Sequence, residues 1–324
     1  MNLERGAFVV SIDTELAWGL AHRRDGAEAV EEVHHFDRER EVVAAILEVF
    51  ERYDISATWA IVGHLFLDHC ARGDDGRPHP EVLRPDYDWL DGDWFDVDPC
   101  SSLTEAPFYY GRDLVETIAA CSVDQEIASH AFSHALIGDP GCSADVFASE
   151  LDACRTAAKD FDVELRSFVY PRNSIGHRSA LAAAGFTNYR GLRPPTFAGS
   201  SGLGRRVSQL VDRVRPLRGS AVWPEQVDDG LWNLPQTYMF APATTRARVP
   251  VGLWCRKPIA RLAQARRERS LFHLWFHPYN VTAAPERAVA ALDRICAAAA
   301  RARDKGTLDV LTMAQLADRL SAPA

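Results

Sequence analysis

The chain has 324 residues, 47% hydrophobic and 25% charged, so it can bury a full core as two domains or as one large α/β barrel. Its formal charge of −9 argues against nucleic acid or an anionic membrane surface as the main partner, since both call for clustered Lys and Arg. A neutral or weakly charged small molecule fits better.

The first apolar run, residues 7–12, is cut by Asp13 and is too short for a signal peptide. Nothing approaches the roughly 20 apolar residues that span a bilayer. Seven scattered cysteines without a C-x-x-C pair read as reduced and structural. Together these features predict a cytoplasmic protein without stable membrane insertion; they say nothing of oligomeric state.

Strands are predicted at residues 7–12, 57–62, 126–130, 166–170, 231–235, 271–277 and 308–311, where Val, Ile, Phe and Trp cluster. Helical spacing appears over 38–53, through Val42, Val43, Ile46, Leu47 and Phe50, and again over 144–158, 179–184 and 286–302. This β-α alternation predicts a mainly parallel sheet. Two stretches interrupt it: 72–110, dense in Asp, Trp, Tyr and Pro, and 190–224, rich in Gly, Pro and Arg. The simplest architecture is one domain, 1–324, of about seven strands with two long insertions, and loops of this length are usually functional.

Three strand ends carry candidate chemistry. Strand one runs into Ser11-Ile12-Asp13-Thr14-Glu15, two carboxylates where barrel enzymes keep catalytic groups; a helix-capping Asp beside a solvated Glu would look the same. Residues 126–130 lead to His130-Ala131-Phe132-Ser133-His134. On a helical turn, residues i and i+4 face one way, so both imidazoles can reach one ion. The run Leu271-Phe272-His273-Leu274-Trp275-Phe276-His277-Pro278 alternates, placing His273, Trp275 and His277 on one side. His277, at the strand's end, suits an acid or base, and His273, deeper in, suits a hydrogen-bonded core position. Carboxylates, paired histidines and a separate histidine are what metal-assisted amide hydrolysis requires.

These motifs resemble the polysaccharide deacetylase family, carbohydrate esterase family four, over residues 7–316. The resemblance implies a distorted (β/α) barrel and a metal-dependent hydrolase that removes an N-acetyl group from a sugar or glycan precursor. Asp13 matches the family's water-activating base, His130 and His134 match its His-x-x-Ser/Thr-His metal ligands, usually for zinc, and His277 matches the acid. Phe168-Val169-Tyr170-Pro171-Arg172 lies at the groove-lining motif with its base-holding arginine, and Leu231-Trp232-Asn233 lies at the motif whose Trp walls the pocket and whose acid tunes the histidine. Tyr170, Arg172, Trp232 and, from the first insertion, Trp94 are therefore candidate substrate contacts.

Three departures matter. Thr14 replaces the second acid, so Glu15 reaches the ion, or Asp13 does, or the carboxylate ligand is lost; we favour Glu15. Arg is missing two residues before Pro171, and Arg172 is the replacement expected to pair with Asp13. Asn233 stands where an acid is expected. Competing readings are a metal-independent hydrolase of another linear or cyclic amide, or a non-catalytic glycan-binding protein.

Overall fold

Every residue of β1 (Gly6–Thr14) is buried, and the strand is flanked on both edges. Along one edge runs β9 (Leu271–Phe276), pairing residues 7–12; along the other, β10 (Leu308–Val310) pairs residues 6–8 and β2 (Thr58–Ile61) pairs residues 11–14. A run buried on both faces reads as continuously hydrophobic, which is why 7–12 stands out in the sequence. The computed structural model describes residues 3–21, 38–193, 221–240 and 250–322.

The remaining strands are β3 (Glu126–Ser129), β4 (Ser167–Val169), β5 (Asn188–Arg190), β6 (Glu225–Gln226), β7 (Trp232–Asn233) and β8 (Tyr238–Met239). All join one sheet, ordered β6-β7-β5-β4-β3-β2-β1-β9-β8, with β10 beside β1. Every pair is parallel except β6 with β7. The sheet curls into a distorted (β/α) barrel, and side-chain alternation sorts its residues into two cores. Phe8, Val10, Ile12, Phe272, Leu274 and Phe276 pack outward against helices. Ala7, Val9, Ala60, Val169, Trp232, Leu234 and Leu271 form a separate inner core.

Beyond a single helical turn at Trp18–Ala21, the described residues contain seven α-helices in chain order: α1 (Glu39–Tyr53), α2 (Arg112–Ala119), α3 (Ala144–Ala158), α4 (Arg178–Ala183), α5 (Val251–Glu268), α6 (Pro285–Asp304) and α7 (Met313–Ser321). Helix α1 buries the predicted stripe of Val42, Val43, Ile46, Leu47 and Phe50. Helix α7 closes the lower end of the barrel, where Met313, Leu316 and Ala317 join the inner core. Its first turn is held by a Thr312–Gln315 capping box and by two further acceptors: Thr58 Oγ1 takes the Met313 N–H at 2.8 Å, and Glu126 Oε2 takes the Ala314 N–H at 3.1 Å. Among the described residues, no helix is long and apolar enough to cross a membrane.

The sequence reading undercounts the elements. Strand β5 is missed because its inward residues, Asn188 and Arg190, are polar, the reverse of the apolar signal. Strands β6 and β8 are two residues each. Helix α5 is masked by Pro258 in its middle, a residue that ordinarily breaks helical pattern. Of the predicted insertion 190–224, residues 194–220 lie outside the described residues. The 72–110 insertion is irregular but packed, with one 3₁₀ turn (Trp94–Val97) fixed by an Asp93–Asp96 capping box.

Candidate active site

The inward face of β1 carries Ala7 and Val9 at the bottom, Ser11 in the middle and Asp13 at the top. Asp13 is 1% exposed, and both its oxygens accept from Arg190 of β5, from Nη1 at 2.6 Å and Nη2 at 2.6 Å. Arg190 Nη1 also donates to Ser11 Oγ at 3.0 Å, and the guanidinium lies over the Trp275 ring, 4.6 Å from its centroid. Burial raises the Asp13 carboxyl, but the charge and hydrogen bonds of Arg190, aided by His277 and His130, outweigh it and hold it below the usual range.

Glu15 leaves the end of β1 through Leu16, whose backbone is left-handed (φ 47°), and its side chain turns back over the barrel mouth. Gly19 makes room for it: a Cβ there would sit 2.0 Å from Glu15 Oε2. Three imidazole nitrogens meet Glu15 Oε1: His130 Nε2 at 3.0 Å, His134 Nε2 at 3.3 Å and His277 Nε2 at 3.3 Å. Burial opposes ionisation of Glu15, yet these imidazoles together hold its carboxyl well below the ordinary value.

His130 and His134 follow β3, but not on the helical turn expected from their spacing. They sit on a loop in which Ala131 (φ 58°) and His134 (φ 62°) are left-handed, and this bends the second ring back beside the first, with centroids 5.1 Å apart. Buried Glu150 of α3 shapes the loop by accepting the Phe132 N–H at 2.8 Å, the Ser133 N–H at 2.9 Å and the Ser133 hydroxyl at 2.5 Å.

The donor set suits a divalent cation. His130 Nδ1 lies 2.7 Å from the Val169 carbonyl, which accepts its N–H, so Nε2 of the neutral ring presents a lone pair to the Glu15 carboxylate. Two acceptors brought face to face call for a positive charge between them. Two imidazoles and a carboxylate, with their ligand atoms within 4.8 Å of one another, are the zinc-type set that leaves a position open for substrate.

His277 stands on the opposite side. Its Nδ1–H donates to Asn280 Oδ1 at 3.1 Å, and Nε2 faces Glu15 and, at 3.7 Å, Asp13 Oδ2. Burial favours the neutral ring, but Glu15, Asp13 and the Asn280 bond prevail and lift it to about 9, so it is protonated at neutral pH. His273, below it, is wholly buried: its Nδ1–H donates to the Leu234 carbonyl at 3.1 Å and its Nε2 accepts from Ser11 at 2.9 Å. Burial, aided by the Arg190 cation, pushes His273 down from 6.5 to about 3.

A histidine depressed in the folded state lets only the unfolded chain take up a proton between those values. Stability should therefore fall as pH drops below about 6.5 toward 3, by up to about 1.4 kcal/mol per pH unit from this residue. His273→Gln should flatten that slope in urea midpoints measured across the window; equal slopes in both proteins would show that His273 is not the group responsible.

A cavity of about 360 Å³, within the roughly 300–1,000 Å³ typical of small-ligand sites, opens over these groups. Asp13, Glu15, His134, Arg190 and His277 form its floor, with Leu20, Arg172, Asn173, Trp275 and Tyr279 as walls. A larger cavity, about 520 Å³, lies on the far side of the His130–His134 loop and contains none of these groups.

Several expected contacts fall elsewhere. Trp94 is buried beneath the insertion, where its indole N–H donates to Ser133 Oγ at 2.7 Å; it supports the histidine loop and does not line the cavity. Tyr170 is buried in the outer core with its hydroxyl on the Gly176 carbonyl, and Trp232 is at the barrel bottom, bonded to Ser321. Arg172 does line the cavity, exposed at its rim on a left-handed backbone (φ 49°), but the Asp13 clamp expected of it is Arg190. The polar partner of His277 is Asn280, not a residue near Asn233. Arg190 gave no sequence signal because it reads as the first residue of the Gly/Pro/Arg-rich stretch 190–224, whereas Asn280, three residues after His277, follows a proline that forces the turn bringing its amide back.

No protein-family model matches the sequence, and no curated protein does. Solved structures match it in shape. A Mycobacterium smegmatis protein assigned as a polysaccharide deacetylase aligns at TM-score 0.63 and 16% identity, covering 98% of this chain and 91% of that one. The chain has the polysaccharide deacetylase fold. PuuE allantoinase shares it at TM-score 0.58 and 10% identity, covering 98% and 91%. A 4-α-glucanotransferase from Thermococcus litoralis does so at 0.53 and 10%, covering 98% of this chain but 41% of its own. One barrel thus serves proteins named for different reactions, and the choice among them rests on side chains.

Proposed function

We propose that this site hydrolyses an N-acetyl amide on a sugar or glycan precursor with the help of a divalent ion, zinc by the character of its donors, held by Glu15, His130 and His134. The observation that carries the reading is the meeting of three imidazole nitrogens on one Glu15 oxygen, beside an Asp13 clamped by arginine. When bound, the ion supplies Lewis acidity toward the amide carbonyl.

The protein's own groups do the rest. Asp13, ionised and aimed by Arg190, keeps a free lone pair on each oxygen and takes a proton from the attacking water. His277, whose protonated form the Asp13 charge and the Asn280 hydrogen bond favour, delivers its Nε2 proton to the departing nitrogen, and Asn280 fixes the ring in that orientation. Arg172 and Asn173 at the rim offer donors to sugar hydroxyls, and the half-buried Trp275 and Tyr279 rings give apolar walls.

The test joins metal to turnover. Wild-type protein purified without chelator should retain zinc or another divalent ion and release acetate from N-acetylglucosamine oligosaccharides. The His130→Ala/His134→Ala and Glu15→Ala variants should each lose one metal equivalent together with the acetate release. If the double-histidine variant keeps its full metal content, or wild type releases no acetate with added zinc, the reading fails. Turnover of another linear or cyclic amide without metal would then replace it.

A further inference from the structure

We infer that the first insertion and the chain leading into it from β2 carry a second, structural metal site in which His64, Cys70, His79 and Asp98 bind zinc. This set lies apart from the cavity described above and does not depend on its proposed chemistry. His64 belongs to the 3₁₀ turn Gly63–Phe66 that follows β2, while the other three come from the irregular chain beyond it.

Hydrogen-bond accounting carries the assignment. His64 Nε2 and His79 Nε2 both address Asp98 Oδ2, at 3.0 and 2.9 Å. Their Nδ1 atoms also face acceptors, the Tyr109 carbonyl at 3.0 Å and Glu81 Oε1 at 3.3 Å. A neutral imidazole has one N–H, so two rings supply two protons to four acceptor contacts. Making up the difference with protons would bury two imidazolium ions whose ring centroids are 5.0 Å apart. One divalent ion shared by both Nε2 atoms and Oδ2 meets the same need and leaves each Nδ1–H on its acceptor, the usual arrangement behind a metal-bound histidine.

Cys70 completes the set, with Sγ 3.4 Å from Asp98 Oδ2, and all four ligand atoms lie within 4.8 Å of one another. Tetrahedral zinc, with bonds of about 2.0–2.1 Å to N and O and about 2.3 Å to S, separates its ligands by roughly 3.3–3.8 Å, so the two imidazole contacts with Asp98, at 3.0 and 2.9 Å, would lengthen by a few tenths of an ångström and a pair at the 4.8 Å limit would close by about 1 Å. Tyr110 Oη lies 3.1 Å from Sγ, and the Cys100 N–H donates to Asp98 Oδ1 at 2.9 Å, so both anionic ligands have supporting donors. Four protein ligands leave no open position, which marks the site as structural. His79 borders the 520 Å³ cavity, which provides an entry path.

What the ion would stabilise is the catalytic histidine loop. The His64 N–H donates to the Phe132 carbonyl at 2.9 Å, Trp94 reaches Ser133, and Tyr87 Oη accepts the Leu136 N–H at 2.7 Å. The segment between the two active-site histidines thus rests on the part of the insertion that the ion ties down.

Cobalt(II) distinguishes the two sites, because only this one has a thiolate. Metal-stripped His130→Ala/His134→Ala protein should bind one equivalent of cobalt with a near-ultraviolet sulfur-to-cobalt charge-transfer band, and Cys70→Ser in that background should lose the band. A control on wild-type protein needs no further variant: zinc should slow iodoacetamide labelling of Cys70 by at least about tenfold, because a coordinated thiolate is withheld from the reagent. Absence of the band, its persistence in Cys70→Ser, or equal labelling of Cys70 with and without zinc would overturn the assignment. None of these outcomes bears on Glu15, His130 and His134.

Discussion

Arg190→Met should destabilise the fold by about 3–5 kcal/mol and Asp13→Asn by a similar amount, while the double variant recovers most of the loss. Arg190 is 2% exposed and Asp13 1%, so most of each charge is shielded from solvent and met by the other. Removing Arg190 leaves a desolvated carboxylate that only nearby imidazoles offset, and removing Asp13 leaves a desolvated guanidinium that has lost its counter-charge. Removing both exchanges an ion pair for an apolar chain packed on Trp275 and a neutral amide beside Ser11. Urea unfolding of the four proteins gives the coupling directly; strictly additive losses would mean that the clamp contributes nothing as a pair. Turnover should fall in all three variants, the double included, since restored packing does not restore an ionised base.

His277→Gln should lower kcat on an N-acetyl sugar by about 10²–10⁴-fold, the range for loss of a positioned acid. Glutamine keeps a polar head near Asn280 but cannot donate a proton to nitrogen. The decisive comparison is an acetanilide with an electron-withdrawing ring, whose amine leaves without full protonation. On that substrate the loss should shrink to about tenfold or less, because the barrier no longer includes the step that the acid assists. Equal losses on the two substrates would assign His277 to binding or orientation instead.

The sequence revealed the scaffold well where residues repeat and poorly where they serve the site. Strand β1 and the alternation of β9, with His273, Trp275 and His277 on one face, follow from period-two patterning, and the structure has both. The His130/His134 spacing was visible, but the two left-handed residues that make the rings converge were not, because neither Ala131 nor His134 announces such a backbone. Arg190 escaped notice because an arginine on a three-residue strand is read as loop until a buried carboxylate is found opposite it. Trp94 looked like a sugar platform by residue type, and Tyr170 and Trp232 looked like groove contacts by their place in the resembled motifs, yet burial decides the use of an aromatic ring, and neither composition nor motif position reveals burial.

Closure of the barrel by α7 has a consequence for traffic. Among the described residues, Val9, Val169, Leu234, Met313 and Leu316 fill the interior below Ser11, so nothing drains toward that end. Under the proposed reaction, substrate, water, the released acid and the freed amine would all pass through one doorway. A long glycan lying across the mouth would act as its own stopper, holding the small acid beneath it until the chain shifts. Short substrates, which leave the doorway clear, should then turn over with the less obstructed departure.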